Sequence, residues 1–210
     1  MKHYVSIAAV ALLAVTPLFA QAPAGWKMRV DRSANASDPD GAGATKIVTM
    51  GSGFHATNPQ AAAYFNPANT ASGNYTLKGS FTLVKTGSHS EYYGLVFGGS
   101  DMEGAGQNYL YFMVAPDGSW LVKRRTGDSS SQNVSAKTPS SAVKQPDASG
   151  KSTNALEVRV MADKIDFVVN GTVVNSVPKT GPTAKTDGIY GFRVNHMLEV
   201  HVDGFGVTKQ

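Results

Sequence analysis

The segment Asn154 to Val177, NALEVRVMADKIDFVVNGTVVNSV, constrains the fold more tightly than any other stretch. Leu156, Val158 and Val160 alternate with Glu157, Arg159 and Met161, which puts apolar groups on one face of a strand and mostly polar groups on the other. Ala162-Asp163-Lys164 breaks the alternation, and Ile165, Phe167 and Val169 resume it. Asn170-Gly171 then separates two β-branched runs. Both residue types tolerate positive φ, so the pair predicts the type I′ turn whose twist matches that of a hairpin. The segment therefore predicts three consecutive antiparallel strands.

The rest of the chain extends this pattern. Tyr75 to Lys85 places Tyr75, Leu77, Gly79, Phe81 and Leu83 on one face of a long half-buried strand. Tyr92–Phe97, Asn108–Val114, Ser119–Arg125, Gly188–Val194 and Leu198–Val207 read as further strands, and Lys46–Met50 as a short one. Trp26–Val30 alternates weakly, and Gln60–Phe65 suits a strand or a short helix. Asp31–Ala44 is polar and small, as expected of a surface loop. Gly127–Gly150, rich in Ser, Lys, Pro and Asp, reads as an extended surface connection. The 22 glycines and 10 prolines cluster between apolar runs. About a dozen short strands joined by turns predict an all-β, single-domain, two-sheet antiparallel sandwich of jelly-roll type.

The N-terminus follows the order of a secretory signal peptide. Lys2 and His3 precede an apolar run from Val5 to Phe19, and small residues surround Ala20 to Ala24. The apolar run is shorter than the roughly 20 residues that span a bilayer, so a cleaved leader is expected rather than an anchor. Residues 1–20 are read as the leader and 21–210 as the domain, exported to the periplasm or beyond the cell. With no cysteine, neither a disulfide nor a lipid-anchored cysteine is available. Charge is weak, 19 basic against 15 acidic residues, with Lys123-Arg124-Arg125 the only basic cluster. That excludes a nucleic-acid surface, and no membrane contact is expected once the leader is removed.

The run ALEVRVMADKIDFVVNGTVV resembles the strand–turn–strand of concanavalin A-like lectin and glucanase sandwiches, laminin-G-like domains especially. The ending GIYGFRVNHMLEVHVDGFGV resembles their last two strands, and it is also similar to the close of the 3-keto-disaccharide hydrolase domain family of secreted bacterial sandwiches. The resemblance covers the last third and extends to Tyr75–Arg125, but not to the N-terminal third. It implies a sandwich with a concave sheet that often faces carbohydrate; some relatives are glycosidases and others only bind glycans or proteins.

Three constellations carry candidate chemistry. Taking Ala115 to Gly118 as a four-residue connection sets Val114 opposite Ser119, Met113 opposite Trp120, Tyr111 opposite Val122 and Tyr109 opposite Arg124. Tyr109, Tyr111, Trp120 and Arg124 then share a face that suits a sugar, with aromatic rings for C–H stacking and a guanidinium for hydroxyls. Ordinary core packing with Arg124 reaching out from its edge is the competing reading. Glu199, His201 and Asp203 share a face of the last strand, where laminarinase-type glucanases carry E-x-D-x-x-E; here histidine is central and the second glutamate is missing. Strand neighbours at i and i+4 lie about 13 Å apart, against about 5–5.5 Å for a retaining carboxylate pair, so Glu199 and Asp203 alone do not form one. His196 with Glu199, His201, Asp101 or Glu103 offers donors for a divalent metal, although no cofactor is expected. Gly150-Lys151-Ser152 imitates the end of a phosphate loop but has Gln145 where the motif needs glycine, and a strand follows. Asn35, Asn74, Asn133 and Asn170 open glycosylation sequons that have meaning only in a eukaryotic host. No G-x-S-x-G elbow marks a nucleophile. The expected function is carbohydrate binding; the alternatives are a glycoside hydrolase or lyase using Glu199, His201 and Asp203, and an interaction module without a glycan.

Overall fold

In a computed structural model the chain is described from residue 22 to 210, apart from positions 34, 88 and 129. The predicted leader thus lies outside the described residues. The strands are β1 (Lys27–Asp31), β2 (Lys46–Met50), β3 (Gly53–Asn58), β4 (Ala61–Ala71), β5 (Tyr75–Lys85), β6 (Tyr93–Ser100) and β7 (Asn108–Val114). They continue as β8 (Ser119–Thr126), β9 (Ser130–Pro139), β10 (Ser152–Val160), β11 (Lys164–Val169), β12 (Thr172–Pro178), β13 (Gly188–Val194) and β14 (Leu198–Lys209). Two seven-stranded antiparallel sheets face each other. The front sheet has the order β1-β4-β13-β6-β7-β8-β9, the back sheet β12-β11-β10-β5-β14-β3-β2. No helix among the described residues is long and apolar enough to cross a membrane.

The strand periods explain the layers. Leu156, Val158 and Val160 of β10 meet Tyr75, Leu77 and Phe81 of β5 on the inner side, with Leu110, Phe112 and Val114 of β7 opposite, and all are fully buried. An aromatic group of Trp26, Phe54, Phe192 and Phe205 closes one end of this core, with ring centroids 4.4 to 6.0 Å apart. The hairpin at Asn170-Gly171 has φ of 49° and 83°, the left-handed pair required by a type I′ turn.

One segment differs from the expectation, and one ambiguity is resolved. Ser130–Pro139 is a strand at the end of the front sheet rather than a loop connection. Its polar residues are exposed on both faces, so no alternation marks it, and its pairing with β8 is a tertiary event. The ambiguous Gln60–Phe65 stretch belongs to an 11-residue strand, β4, that continues through Pro67.

The Ala115–Gly118 connection also differs. The Ala115 amide bonds to the Ser119 carbonyl at 2.9 Å, leaving a three-residue loop, Pro116-Asp117-Gly118, with Gly118 at φ 83°. The register is Val114↔Trp120, Met113↔Leu121, Tyr111↔Lys123 and Tyr109↔Arg125. A one-residue slip exchanges the faces of a strand. Trp120 therefore points into the inter-sheet core, 5% exposed and 6.4 Å from Phe112. Arg124 also leaves the expected face and donates from Nη1 to the Pro182 carbonyl at 2.6 Å. The predicted Tyr109–Tyr111–Trp120–Arg124 platform does not exist.

Candidate functional site

The outer face of the front sheet carries a second buried cluster. Phe65, Val96, Tyr109, Tyr111, Met113 and Leu121 form it, with Met102 from the β6–β7 loop packed against them. Tyr109 is 1% exposed and Tyr111 8%, so Tyr109 is packed within the cluster and is no stacking surface. An apolar outer face on a sheet that already has an apolar inner face is unusual for an antiparallel sandwich, in which the outer side is normally polar.

Arg193, on β13, is set in this face. It lies opposite Ala63 of β4 and Gly94 of β6. Its Nη1 donates to Asp31 Oδ2 at 2.5 Å and to Tyr109 Oη at 3.0 Å, and its guanidinium carbon stands 5.9 Å from the centre of the Tyr111 ring. Burial alone would lower its pKa, but Tyr109, Asp31 and Tyr111 more than offset that and raise it above the usual arginine range. Arg125 reaches the other Asp31 oxygen at 3.6 Å. Burial raises the Tyr111 hydroxyl above its ordinary pKa, Arg193 opposing.

Beside Arg193 the face opens into a recess of about 300 Å³. Tyr111, Met113 and Leu121 floor it, Tyr92 and Lys123 flank it, and Asp38, Glu91 and Asn195 form its rim with Arg193. Gly94 occupies the cross-strand position between Arg193 and Met113. A Cβ there would stand 2.2 Å from the Phe112 carbonyl oxygen, so the position admits no larger residue without backbone movement.

Two rim residues, Asp38 and Glu91, form with the adjacent His196 the one group of metal-ligating side chains among the described residues, with ligand atoms within 4.8 Å of one another. The pairing of β6 with β13 continues past Tyr93↔Val194, since the Asn195 amide bonds to the Tyr92 carbonyl at 2.8 Å. Glu91 and His196 are thereby set side by side, and the polar loop after β1 brings Asp38 and Asp40 over them.

The other sequence candidates lie elsewhere. Glu199, His201 and Asp203 occupy the outer face of the back sheet, where β14 pairs with β3 and sets His201 opposite His55. His201 Nε2 lies 2.9 Å from Asp203 Oδ2, while Glu199 lies 3.8 Å from His55 and 3.6 Å from Lys85. Burial lowers the His55 pKa, opposed by Glu199 and assisted by His201 and Lys46. No carboxylate from the Gly98–Gln107 loop joins them. Asp101 Oδ2 accepts from the Gly106 amide at 3.0 Å, and Glu103 pairs with Lys27 at 2.6 Å. His196 likewise joins neither Glu199 nor His201 but the loop carboxylates.

Sequence reasoning missed Arg193, Asp31, Asp38, Asp40 and Glu91. An arginine between Phe192 and Val194 in GFRV, pointing away from the core, was the one local signal.

No family model matches the sequence, and no curated protein matches it. Solved structures show what the shape resembles. The carbohydrate-binding module CBM66 from Bacillus subtilis superposes with a TM-score of 0.62 at 12% identity, over 88% of this chain and 96% of that one. A Bacillus subtilis protein of unknown function with a galectin-like fold gives 0.61 at 13%, over 88% and 89%. Alginate lyase A1-II′, a member of polysaccharide lyase family 7, gives 0.55 at 15%, over 89% and 95%. Together with the sheet order, these likenesses define the fold as a concanavalin A-like jelly-roll sandwich.

Proposed function

We propose that the protein is an exported carbohydrate-binding sandwich whose ligand site is the recess on the outer face of the front sheet. The observation that carries this reading is the recess itself. An aromatic and aliphatic floor of Tyr111, Met113 and Leu121 is ringed by Arg193, Lys123, Asn195, Glu91 and Asp38. A sugar presents apolar C–H faces and hydroxyls together, and the recess offers the half-buried Tyr92 ring at its flank for the first and the donors and acceptors of its rim for the second. The fold shared with a carbohydrate-binding module and a polysaccharide lyase supports the same ligand class. Export rests on the leader pattern of residues 1–20.

A glycan array spanning neutral and uronic-acid polysaccharides, followed by product analysis of any sugar bound, tests the reading. Binding is expected, with the sugar recovered unchanged, and Lys123→Glu is expected to weaken it tenfold or more at unchanged melting temperature. An empty array, cleaved sugar, or binding insensitive to Lys123→Glu would overturn the proposal.

A further inference from the structure

Against the rim carboxylates of the recess lies a histidine whose surroundings are not those of an ordinary ion pair. His196 is 5% exposed. Its Nδ1 lies 3.3 Å from Asp40 Oδ1, and Asp40 is fixed in turn by the Ser33 amide, which donates to its Oδ2 at 2.9 Å. With Nδ1–H donating to Asp40, the Nε2 lone pair points at Glu91 Oε1, 3.2 Å away, and at Asp38 Oδ1, 3.3 Å away. Three lone-pair-bearing atoms then face one another. Asp38 Oδ1 is buried with no hydrogen-bond partner. Glu91 is held in place from behind, its Oε2 accepting from Asn195 Nδ2 at 2.8 Å.

We propose that Asp38, Glu91 and His196 form a binding site for a divalent transition-metal ion, with Asp40 orienting the imidazole. The spacing agrees: two donors about 2.1 Å from one ion at the tetrahedral angle stand about 3.4 Å apart. The arrangement of carboxylate, histidine and metal also agrees, because a ligating histidine donates its other ring N–H to a carboxylate or carbonyl that fixes its tautomer. Charge agrees as well: among the described residues no Lys or Arg stands within 4 Å of the carboxylates of Asp38, Asp40 and Glu91, which face only the imidazoles of His196 and the more exposed His89. Such unpaired charge near a buried group is costly, and a divalent ion removes the imbalance. One imidazole with two carboxylates suits Zn²⁺ or Mn²⁺ better than the all-oxygen sites of Ca²⁺. His89, whose Nε2 lies 3.5 Å from the same Asp38 oxygen, stands on the exposed side as a further ligand.

This goes beyond the carbohydrate reading and is tested without any sugar. Titration calorimetry of the purified, chelator-treated protein with ZnCl₂, MnCl₂ and CaCl₂ is expected to show one Zn²⁺ or Mn²⁺ per chain, with Ca²⁺ much weaker. Glu91→Gln keeps the shape of the side chain and is expected to lower affinity at least tenfold, and Asp40→Asn by about 10–100-fold. Zinc is expected to shift the ring nitrogen resonances of His196 while leaving those of His55 and His201 in place, a readout in the unmodified protein that does not depend on a variant folding. No saturable binding of either ion, Ca²⁺ binding most tightly, wild-type affinity in Glu91→Gln, or resonance shifts at His55 or His201 instead of His196 would each overturn the proposal.

Discussion

Asn170 donates from Nδ2 to Asn154 Oδ1 at 2.8 Å, across 16 positions of the chain. Asn170 is the first residue of the type I′ turn that ends β11, and Asn154, fully buried, stands near the start of the adjacent strand β10. The pair gathers a third segment. Asn154 Nδ2 donates to the Lys144 carbonyl at 3.0 Å and to Tyr93 Oη at 3.3 Å, and its Oδ1 accepts from the Lys144 amide at 2.8 Å. Asn170 Nδ2 also reaches the Ala142 carbonyl at 2.8 Å. The serine- and proline-rich connection from β9 to β10 is thus pinned to the hairpin, and Val143 is inserted into the core. Replacing Asn154 by Ala strands several buried polar groups, each costing about 1–3 kcal/mol. Asn154→Ala is expected to lower stability by about 3 kcal/mol in urea denaturation, and to increase proteolysis between Ser140 and Gly150.

Gly171 isolates the backbone contribution of the same turn. It has φ of 83°, and a Cβ built there meets no atom within 4 Å. Gly171→Ala can therefore act only through the left-handed conformation, at about 1–2 kcal/mol. The denaturation midpoint is expected to fall by that amount, with core side-chain resonances unchanged.

The buried pair of Arg193 and Asp31 predicts a larger loss. Asp31→Ala leaves a guanidinium that cannot shed its proton with Tyr109 as its closest remaining partner. Removing one partner of a buried ion pair costs about 3–5 kcal/mol. Asp31→Ala is expected to fall in that range, and the double variant Asp31→Ala/Arg193→Met to recover part of it. A double-mutant cycle by chemical denaturation measures the recovery.

His55 predicts the pH dependence of the back sheet. Its pKa is lowered in the fold by burial, so the unfolded chain takes up the proton first as pH falls. The stability from this group is present above the unfolded value of about 6.5 and is lost as pH falls through the lower folded value. NMR titration is expected to place the His55 midpoint below that of a free histidine. Glu199→Gln is expected to lower it further and His201→Gln to raise it, since Glu199 favours the charged form and His201 opposes it.

The period-two pattern of β5, β10 and β11 and the Asn-Gly turn made the sandwich legible, because both are local properties of the chain. The orientation of β8 was not. It depended on whether Ala115 belongs to the loop or to the strand, and one residue moved Trp120 from the outer face to the core. β9 was illegible because a single half-buried Val134 among polar, mostly exposed residues gives no apolar side to alternate. The rim cluster was illegible for another reason. Asp38, Glu91 and His196 come from three separate loops, and only the pairing of β6 with β13 brings two of them together. Sequence proximity groups His196 with Glu199 and His201, or with Asp101 or Glu103 of a glycine-rich loop, whereas sheet registration sets its neighbours.

β9 closes the front sheet with Ser131, Gln132, Asn133, Lys137 and Pro139, and among the described residues it pairs with β8 alone. A second copy adding itself there would gain backbone hydrogen bonds but remove almost no apolar surface from water. Edges of this kind are a sheet's defence against growing into its neighbours. The stretch with the least information about the fold thus helps keep the molecules apart at high concentration.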